Sequence, residues 1–192
     1  MGHSTVIETF NDRLSFEGSI TYWKSESFNS YKEEISFHNS TLDVGDFSLS
    51  IQGDLVSDRN FIDLPEFQFP IFDIDGTPVV NVFTYEGSSL FIAFEFPIFA
   101  FGADFSNING GIDTDIVLNG VYLNMPRVPD FFGFKSGTAF SEIEVRSRDT
   151  DGFSFDNATY APIEVNTPIT AYLFIILCIP VIFNKSRILL HQ

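Results

Sequence analysis

The sequence predicts a mainly β protein, built as an antiparallel sandwich or barrel. Over much of the chain, apolar residues alternate with polar ones at period two, as in strands with one buried face. Gly, Asn, Asp and Pro separate these runs and supply the turns. A charge-free apolar run near the C-terminus differs from the rest and predicts a terminal transmembrane helix.

A short helix is predicted near the N-terminus. Asn11 can cap it, because a side-chain oxygen there accepts hydrogen bonds from free N–H groups of the first turn. Residues 12–16 would follow, with Asp12 as an acid in the first turn, and Gly18 would end the helix.

The strands follow from the alternating runs. Asn119-Gly120 lies between two of them and predicts a type I′ hairpin, because both residues tolerate positive φ. The inward-facing positions that the alternation predicts are Phe47, Leu49, Ile51, Leu90, Ile92, Phe94, Phe96, Ile116, Leu118, Val121, Leu123, Met125, Ile143, Val145, Phe153 and Phe155.

The chain is long enough for one domain plus a tail. We expect a start segment at residues 1–4, a β domain at 5–161, a spacer at 162–168, and a transmembrane helix with a basic tail at 169–192. The single cysteine, Cys178, lies in the apolar tail, so no intramolecular disulfide can form. The 24 Phe residues must therefore supply the stability through a hydrophobic core.

Charge limits the possible partners. The chain has 26 acidic and 10 basic residues, and all the acids lie before residue 165. Nucleic acid is excluded as a partner, because binding it requires Lys and Arg on phosphates. The balance is compatible with an extracellular protein and with cation binding.

The C-terminal run is a marginal membrane span. Residues 168–183 number 16, against about 17 for the shortest spanning helices, and Pro180 removes one helical hydrogen bond. Lys185 and Arg187 would stay on the cytoplasmic side and place the domain outside. The alternative is a buried terminal helix or strand. An exported chain also needs a leader; residues 1–4 do not resemble one, and we expect that the leader was lost.

The tail resembles the sorting signal of PEP-CTERM proteins of Gram-negative bacteria, a V-P-E-P-like motif followed by a short helix and basic residues. Val165 and Pro168 match that motif, whereas Asn166 and Thr167 depart from it. Further segments resemble this family in order along the chain: residues 9–13, 26–28, 99–105, 131–134 and 152–161. The resemblance implies processing near Pro168 by an exosortase-like enzyme and a jelly-roll-like β-sandwich, a shape shared with carbohydrate-binding modules.

Residues suited to catalysis are few. His38 is the only histidine well inside the domain, and residues 133–137 have the wrong spacing for a nucleophile elbow. We therefore expect no enzyme, but an exported surface or biofilm-matrix protein associated with exopolysaccharide. A carbohydrate-binding module would instead need at least two exposed aromatics in one place. An envelope hydrolase would need two facing carboxylates.

Calcium binding fits the residues of this chain better than a catalytic role does. Residues 73–76 and 149–152 read Asp-x-Asp-Gly, a pattern that serves either calcium ligands or turns. By the family resemblance, Glu26 and Asp156 are candidate ligands of a structural calcium ion. Asp156 also interrupts the alternation of the last strand at a position where a core residue is expected.

Sugar binding would need exposed aromatic rings. Because most Phe residues are better interpreted as core, Tyr and Trp are the residues to consider. The candidates are Tyr22, Trp23, Tyr31, Tyr85 and Tyr122.

Overall fold

A computed structural model describes residues 6–53, 56–108, 114–126 and 130–163. Its elements, in chain order, are β1 (Ile7–Phe10), α1 (Arg13–Gly18), β2 (Lys24–Glu26), β3 (Ile35–Ser36), β4 (Leu42–Asp43), β5 (Phe47–Gly53), β6 (Phe61–Asp63), β7 (Val79–Thr84), β8 (Ser88–Ser106), β9 (Thr114–Leu118), β10 (Val121–Asn124), β11 (Phe131–Ser147) and β12 (Asp151–Pro162).

All the strand pairs are antiparallel, which confirms the predicted class. The long strands β8 and β11 each serve two groups of strands. In the first group, residues 88–94 of β8 pair with β5 on one side and with the end of β11 on the other. The end of β11 also pairs with β9, and β9 pairs with β10. In the second group, residues 98–106 of β8 lie between the start of β11 and β12, which continues to β7, β6 and β3.

Apolar side chains of the two groups meet in one core. The Phe47 ring of β5 contacts Tyr160 of β12 edge-on at 5.9 Å, and Phe94 lies 5.2 Å from the same ring. The polar pair Thr84 and Ser147 also joins the groups through their hydroxyls at 2.6 Å. Register shifts in β11 between Lys135 and Glu142 separate its two pairing regions, as β-bulges do. The arrangement is consistent with a β-sandwich.

The inward positions are confirmed for most of the predicted strands. Phe47, Leu49, Leu90, Ile92, Ile116, Leu118, Ile143, Val145, Phe153 and Phe155 are all at most 2 % exposed. In the hairpin, Asn119 and Gly120 have φ of 50° and 80°, as a type I′ turn requires. Val121, immediately after the turn, is exposed rather than inward-facing, because β10 lies at the end of the strand order.

The helix is present but begins one residue later than predicted. Asp12, not Asn11, is the N-cap: its carboxylate accepts from the Ser15 backbone N–H at 2.8 Å. A cap must reach the N–H two or three residues ahead, and in this backbone Asp12 occupies that position. Phe16 of α1 is fully buried, 5.5 Å from the ring of Phe131.

Two glycines, Gly102 and Gly133, leave space for aromatic rings in the Phe-rich segments of β8 and β11. Gly102 and Gly133 face each other in register across β8 and β11. A Cβ on Gly102 would lie 2.6 Å from the Phe131 ring, and one on Gly133 would lie 2.9 Å from Phe16. Glycine is needed at both positions because rings occupy the space of a side chain.

The predicted sorting motif, membrane span and basic tail lie outside the described residues. Among those that are described, no helix combines the length and the apolar character needed to cross a membrane.

Candidate functional site: an aromatic cleft and a buried carboxylate

A mainly apolar cavity lies beside the loop that connects β6 to β7. Its volume is about 300 Å³, and we call it the aromatic cleft. Five rings line it: Phe61, Phe67, Phe69, Phe72 and Phe83. Its polar lining comes from Glu34, Arg59, Asp63 and Asn81.

The loop presents its apolar side chains to solvent. Two tight turns shape it, one from Leu64 to Phe67 (N···O 3.0 Å) and one from Phe69 to Phe72 (2.8 Å). Phe67 and Phe69 are 64 % and 68 % exposed, and Ile71 is 58 % exposed. Exposed large apolar residues that cluster at a concave surface mark a binding site more often than scattered ones do.

Two buried polar side chains form the floor of the aromatic cleft. The Asn81 amide donates to Asp63 Oδ2 at 2.7 Å, and both residues are less than 5 % exposed. Asp63 Oδ1 and Asn81 Oδ1 accept no hydrogen bond from any described residue. Leaving a buried acceptor without a donor costs about 1–3 kcal/mol, so these two oxygens destabilise the folded domain.

The charge around the floor is mainly negative. Burial, and next the nearby Glu34, raise the pKa of Asp63 to about 6, and Glu66 acts in the same direction. The hydrogen bond from Asn81 and the neighbouring Leu64 N–H, which lies outside hydrogen-bond geometry, oppose this shift. The Arg59 guanidinium lies over the Phe83 ring, 5.3 Å from its centre. The cleft therefore combines ring faces, buried acceptors and a deficit of positive charge.

A second polar centre surrounds Asp156 of β12. Asp156 is fully buried; its Oδ1 accepts from the Asn157 backbone N–H, and its Oδ2 lies 3.1 Å from the Thr77 hydroxyl. That hydroxyl is also hydrogen-bonded to Asp75. Burial, and then Asp75 and Asp104, raise the pKa of Asp156 to about 7. One hydroxyl proton cannot serve two carboxylates, so a protonated Asp156 that donates to Thr77 fits this geometry.

Four other carboxylates, those of Asp73, Asp75, Asp104 and Asp130, line a cavity of about 340 Å³ near Asp156, and the first three have partners. Asp104 pairs with Arg13 at 2.9 Å and accepts from the Asn157 amide at 3.1 Å. Asp73 accepts from the Gly76 N–H at 2.8 Å, and Gly76 has φ of 79°. This first Asp-x-Asp-Gly segment thus forms the turn that its composition allows.

The second Asp-x-Asp-Gly segment is different. Asp151 and Gly152 already belong to β12, and Asp151 is buried and accepts from Thr114 at 2.5 Å. Gly152 does not supply a positive φ. It is required because a Cβ there would lie 2.6 Å from the Phe83 ring.

The two predicted calcium ligands have separate surroundings. Glu26 lies across from Ala158 in the β2–β12 pair, and its Oε1 accepts from the Phe28 N–H at 2.7 Å. Burial, and next the charge of Glu26, raise the pKa of Tyr31, and burial and Asp46, with Glu26 after them, raise that of Tyr160. The charges that act on Asp156 are instead those of Asp75 and Asp104. No group of three or more His, Cys, Asp or Glu side chains that could hold a metal ion occurs in the described part of the chain. The calcium site stays a prediction.

The aromatic residues singled out from the sequence lie elsewhere. Tyr22, Trp23 and Tyr122 are 40–56 % exposed, but none of them lines the aromatic cleft. His38 is partly buried, with Nδ1 2.6 Å from the Ser36 hydroxyl.

Sequence reasoning missed Phe67 and Phe69, because Phe was interpreted as core. A usable signal was present: Phe67, Phe69 and Ile71 alternate across Pro70, in a segment too rich in proline for a central strand.

No protein-family model matches the chain, and no curated protein does so.

Proposed function

We propose that the chain is an exported, non-enzymatic protein of the cell surface or extracellular matrix, and that its β domain binds polysaccharide in the aromatic cleft. The observation that carries this proposal is the pair of exposed rings, Phe67 and Phe69, beside a floor of unpaired buried acceptors. Ligand sites typically join apolar walls with a few fixed polar groups, as this cleft does.

Sugars match this combination of groups. The C–H face of a pyranose packs on an aromatic ring, and its hydroxyls donate hydrogen bonds. Asp63 Oδ1 and Asn81 Oδ1 need donors. The volume of about 300 Å³ is at the lower end for small-ligand pockets, which suits one or two sugar rings of a longer polymer.

The C-terminal tail supports the export half of the proposal. The Val165-Asn166-Thr167-Pro168 motif, the apolar residues 169–183, and Lys185 with Arg187 suit membrane insertion and processing by an exosortase-like enzyme. The domain would then reach the envelope or the matrix as a jelly-roll-like β-sandwich of the PEP-CTERM family. A structural calcium ion at Glu26 and Asp156 belongs to the same proposal.

The geometry favours binding over hydrolysis. Of the four carboxylates that line the cavity near Asp156, Asp104 pairs with Arg13, and Asp73 and Asp75 accept hydrogen bonds within the turn. Asp156, whose raised pKa would suit a general acid, is fully buried and not accessible to a substrate.

Glycan-array binding of the full-length chain tests the proposal. We expect binding to one class of polysaccharide, and loss of that binding in the double variant F67A/F69A. The matched control is Y22A/W23A, which removes two exposed aromatic rings outside the cleft. Absence of binding to any glycan, or loss only in the control variant, would refute the site.

A further inference from the structure

We infer that the aromatic cleft selects a polysaccharide with free amino groups, such as a polymer of de-N-acetylated hexosamine, over neutral or N-acetylated polymers. This inference rests on the proposed glycan binding and names the chemistry of the ligand. The hydrogen-bonding requirement of the floor and the charge of the cleft support it independently.

The floor offers more unpaired acceptors than donors. The Asn81 amide nitrogen uses one of its two N–H groups on Asp63 Oδ2. The oxygens that remain, Asp63 Oδ1 and Asn81 Oδ1, can only accept from a neighbour while Asp63 is ionised. An ammonium group has three donors and no acceptor, so it matches unpaired acceptors of this kind. An N-acetyl group instead brings a carbonyl, which itself needs a donor.

The charges around the floor are mainly negative, and they also favour a cationic ligand. Glu34 and Glu66 lie close enough to Asp63 to raise its pKa, and Asp63 has no ion pair among the described residues. Arg59 is the positive group that lines the cleft, and it lies over Phe83. A buried carboxylate of this kind is stabilised when a cation reaches it.

Access to the floor needs a local rearrangement. Neither unpaired oxygen is accessible to solvent, although both residues line the cleft. The loop is tied down through Gln68, whose amide donates to the carbonyls of Asp63 (3.2 Å) and Thr77 (2.9 Å). An amine that donates a hydrogen bond to Asp63 Oδ1 must therefore displace part of this loop. We expect its association to be slow relative to that at an open site.

Calorimetric titration of the full-length chain tests the inference. The ligands are glucosamine, N-acetylglucosamine and glucose oligomers of equal length and linkage. We expect the glucosamine oligomer to bind at least tenfold more tightly than the other two. D63N keeps the shape of the side chain and should remove this preference. E34Q changes an exposed residue, so its folding is not at risk, and it should weaken the preference.

The acidic chain can also attract a polycation non-specifically, so a charge-matched control is needed. E142Q removes an exposed carboxylate outside the cleft and should leave the preference unchanged. Equal loss of affinity in E142Q and D63N would assign the binding to diffuse charge and overturn the inference. Equal affinity of the wild type for all three oligomers would overturn it while leaving glycan binding intact. No binding to any of the three oligomers would overturn the inference, and the glycan array would then decide separately whether the cleft binds another sugar.

Discussion

Replacing Asp156 with Asn tests whether this buried carboxylate destabilises the folded domain or binds a cation. Asp156 is fully buried, and its pKa is raised from 3.8 to about 7. A shift of about three pKa units corresponds to about 4 kcal/mol of unfolding free energy.

The sign of the effect follows from the raised pKa. Below pH 4 the carboxyl is protonated in both the folded and unfolded states, so it carries no penalty. As the pH rises from 4 to 7, the unfolded state loses this proton before the folded state does, and the domain is progressively destabilised. Above pH 7 the penalty is complete.

Asn can imitate the protonated acid. Its carbonyl can accept from the Asn157 N–H, and its amide can donate to the Thr77 hydroxyl, 3.1 Å from Asp156 Oδ2, as a protonated Asp156 would. We therefore expect D156N to match the wild type at pH 4 and to be more stable by about 2–4 kcal/mol at pH 8 without divalent ions.

Urea unfolding of both proteins between pH 4 and 8, followed by Trp23 fluorescence, measures this difference. A D156N variant that is less stable than the wild type at pH 8, or a difference that does not change with pH, would refute the reasoning. The same series with calcium present tests the predicted metal site. If Asp156 binds calcium, the ion should raise the stability of the wild type and not that of D156N.

Three further predictions concern packing and sorting. G133A should lose about 1–3 kcal/mol of unfolding free energy because its Cβ would meet Phe16 and Phe131, whereas the control G137A, 3.6 Å from its nearest neighbour, should change little; equal urea midpoints would contradict this. F47A should lose about 3–5 kcal/mol, since its ring is buried against Phe94 and Tyr160, and a loss below 1 kcal/mol would show that the two groups of strands do not share one core. Replacing Lys185 and Arg187 together with Glu should leave the chain unprocessed in a host that contains an exosortase, measured by fractionation and blotting; unchanged release would contradict the sorting interpretation.

Period-two alternation predicted the core faces well, because burial of one strand face is a local property of the sequence. Phe47, Leu49, Ile92 and Phe153 all lie where the alternation places them. It did not predict how β8 and β11 divide between two groups of strands, since that depends on register shifts and pairing partners distant in the chain.

The candidate site was harder to predict for a related reason. Phe67 and Phe69 have the same composition and spacing as core residues, and only the turns after Leu64 and Phe69 direct them outward. Asp156 occupies a position of the last strand where the alternation predicts a core residue, and it is fully buried. The register shift between Asp156 and Thr159, with Asn157 at φ of 51°, interrupts the alternation there.

The loop between β6 and β7 connects the two polar centres. Gln68 binds the backbone of Asp63 beneath the aromatic cleft and the carbonyl of Thr77, and the Thr77 hydroxyl reaches Asp156. Both carboxylates have raised pKa values, and both contacts depend on the position of this loop. A displacement of the loop by a ligand in the cleft would therefore be transmitted to the hydrogen bond that supports Asp156. The proposed binding would therefore depend on this loop, whereas the Phe-rich core stabilises the domain.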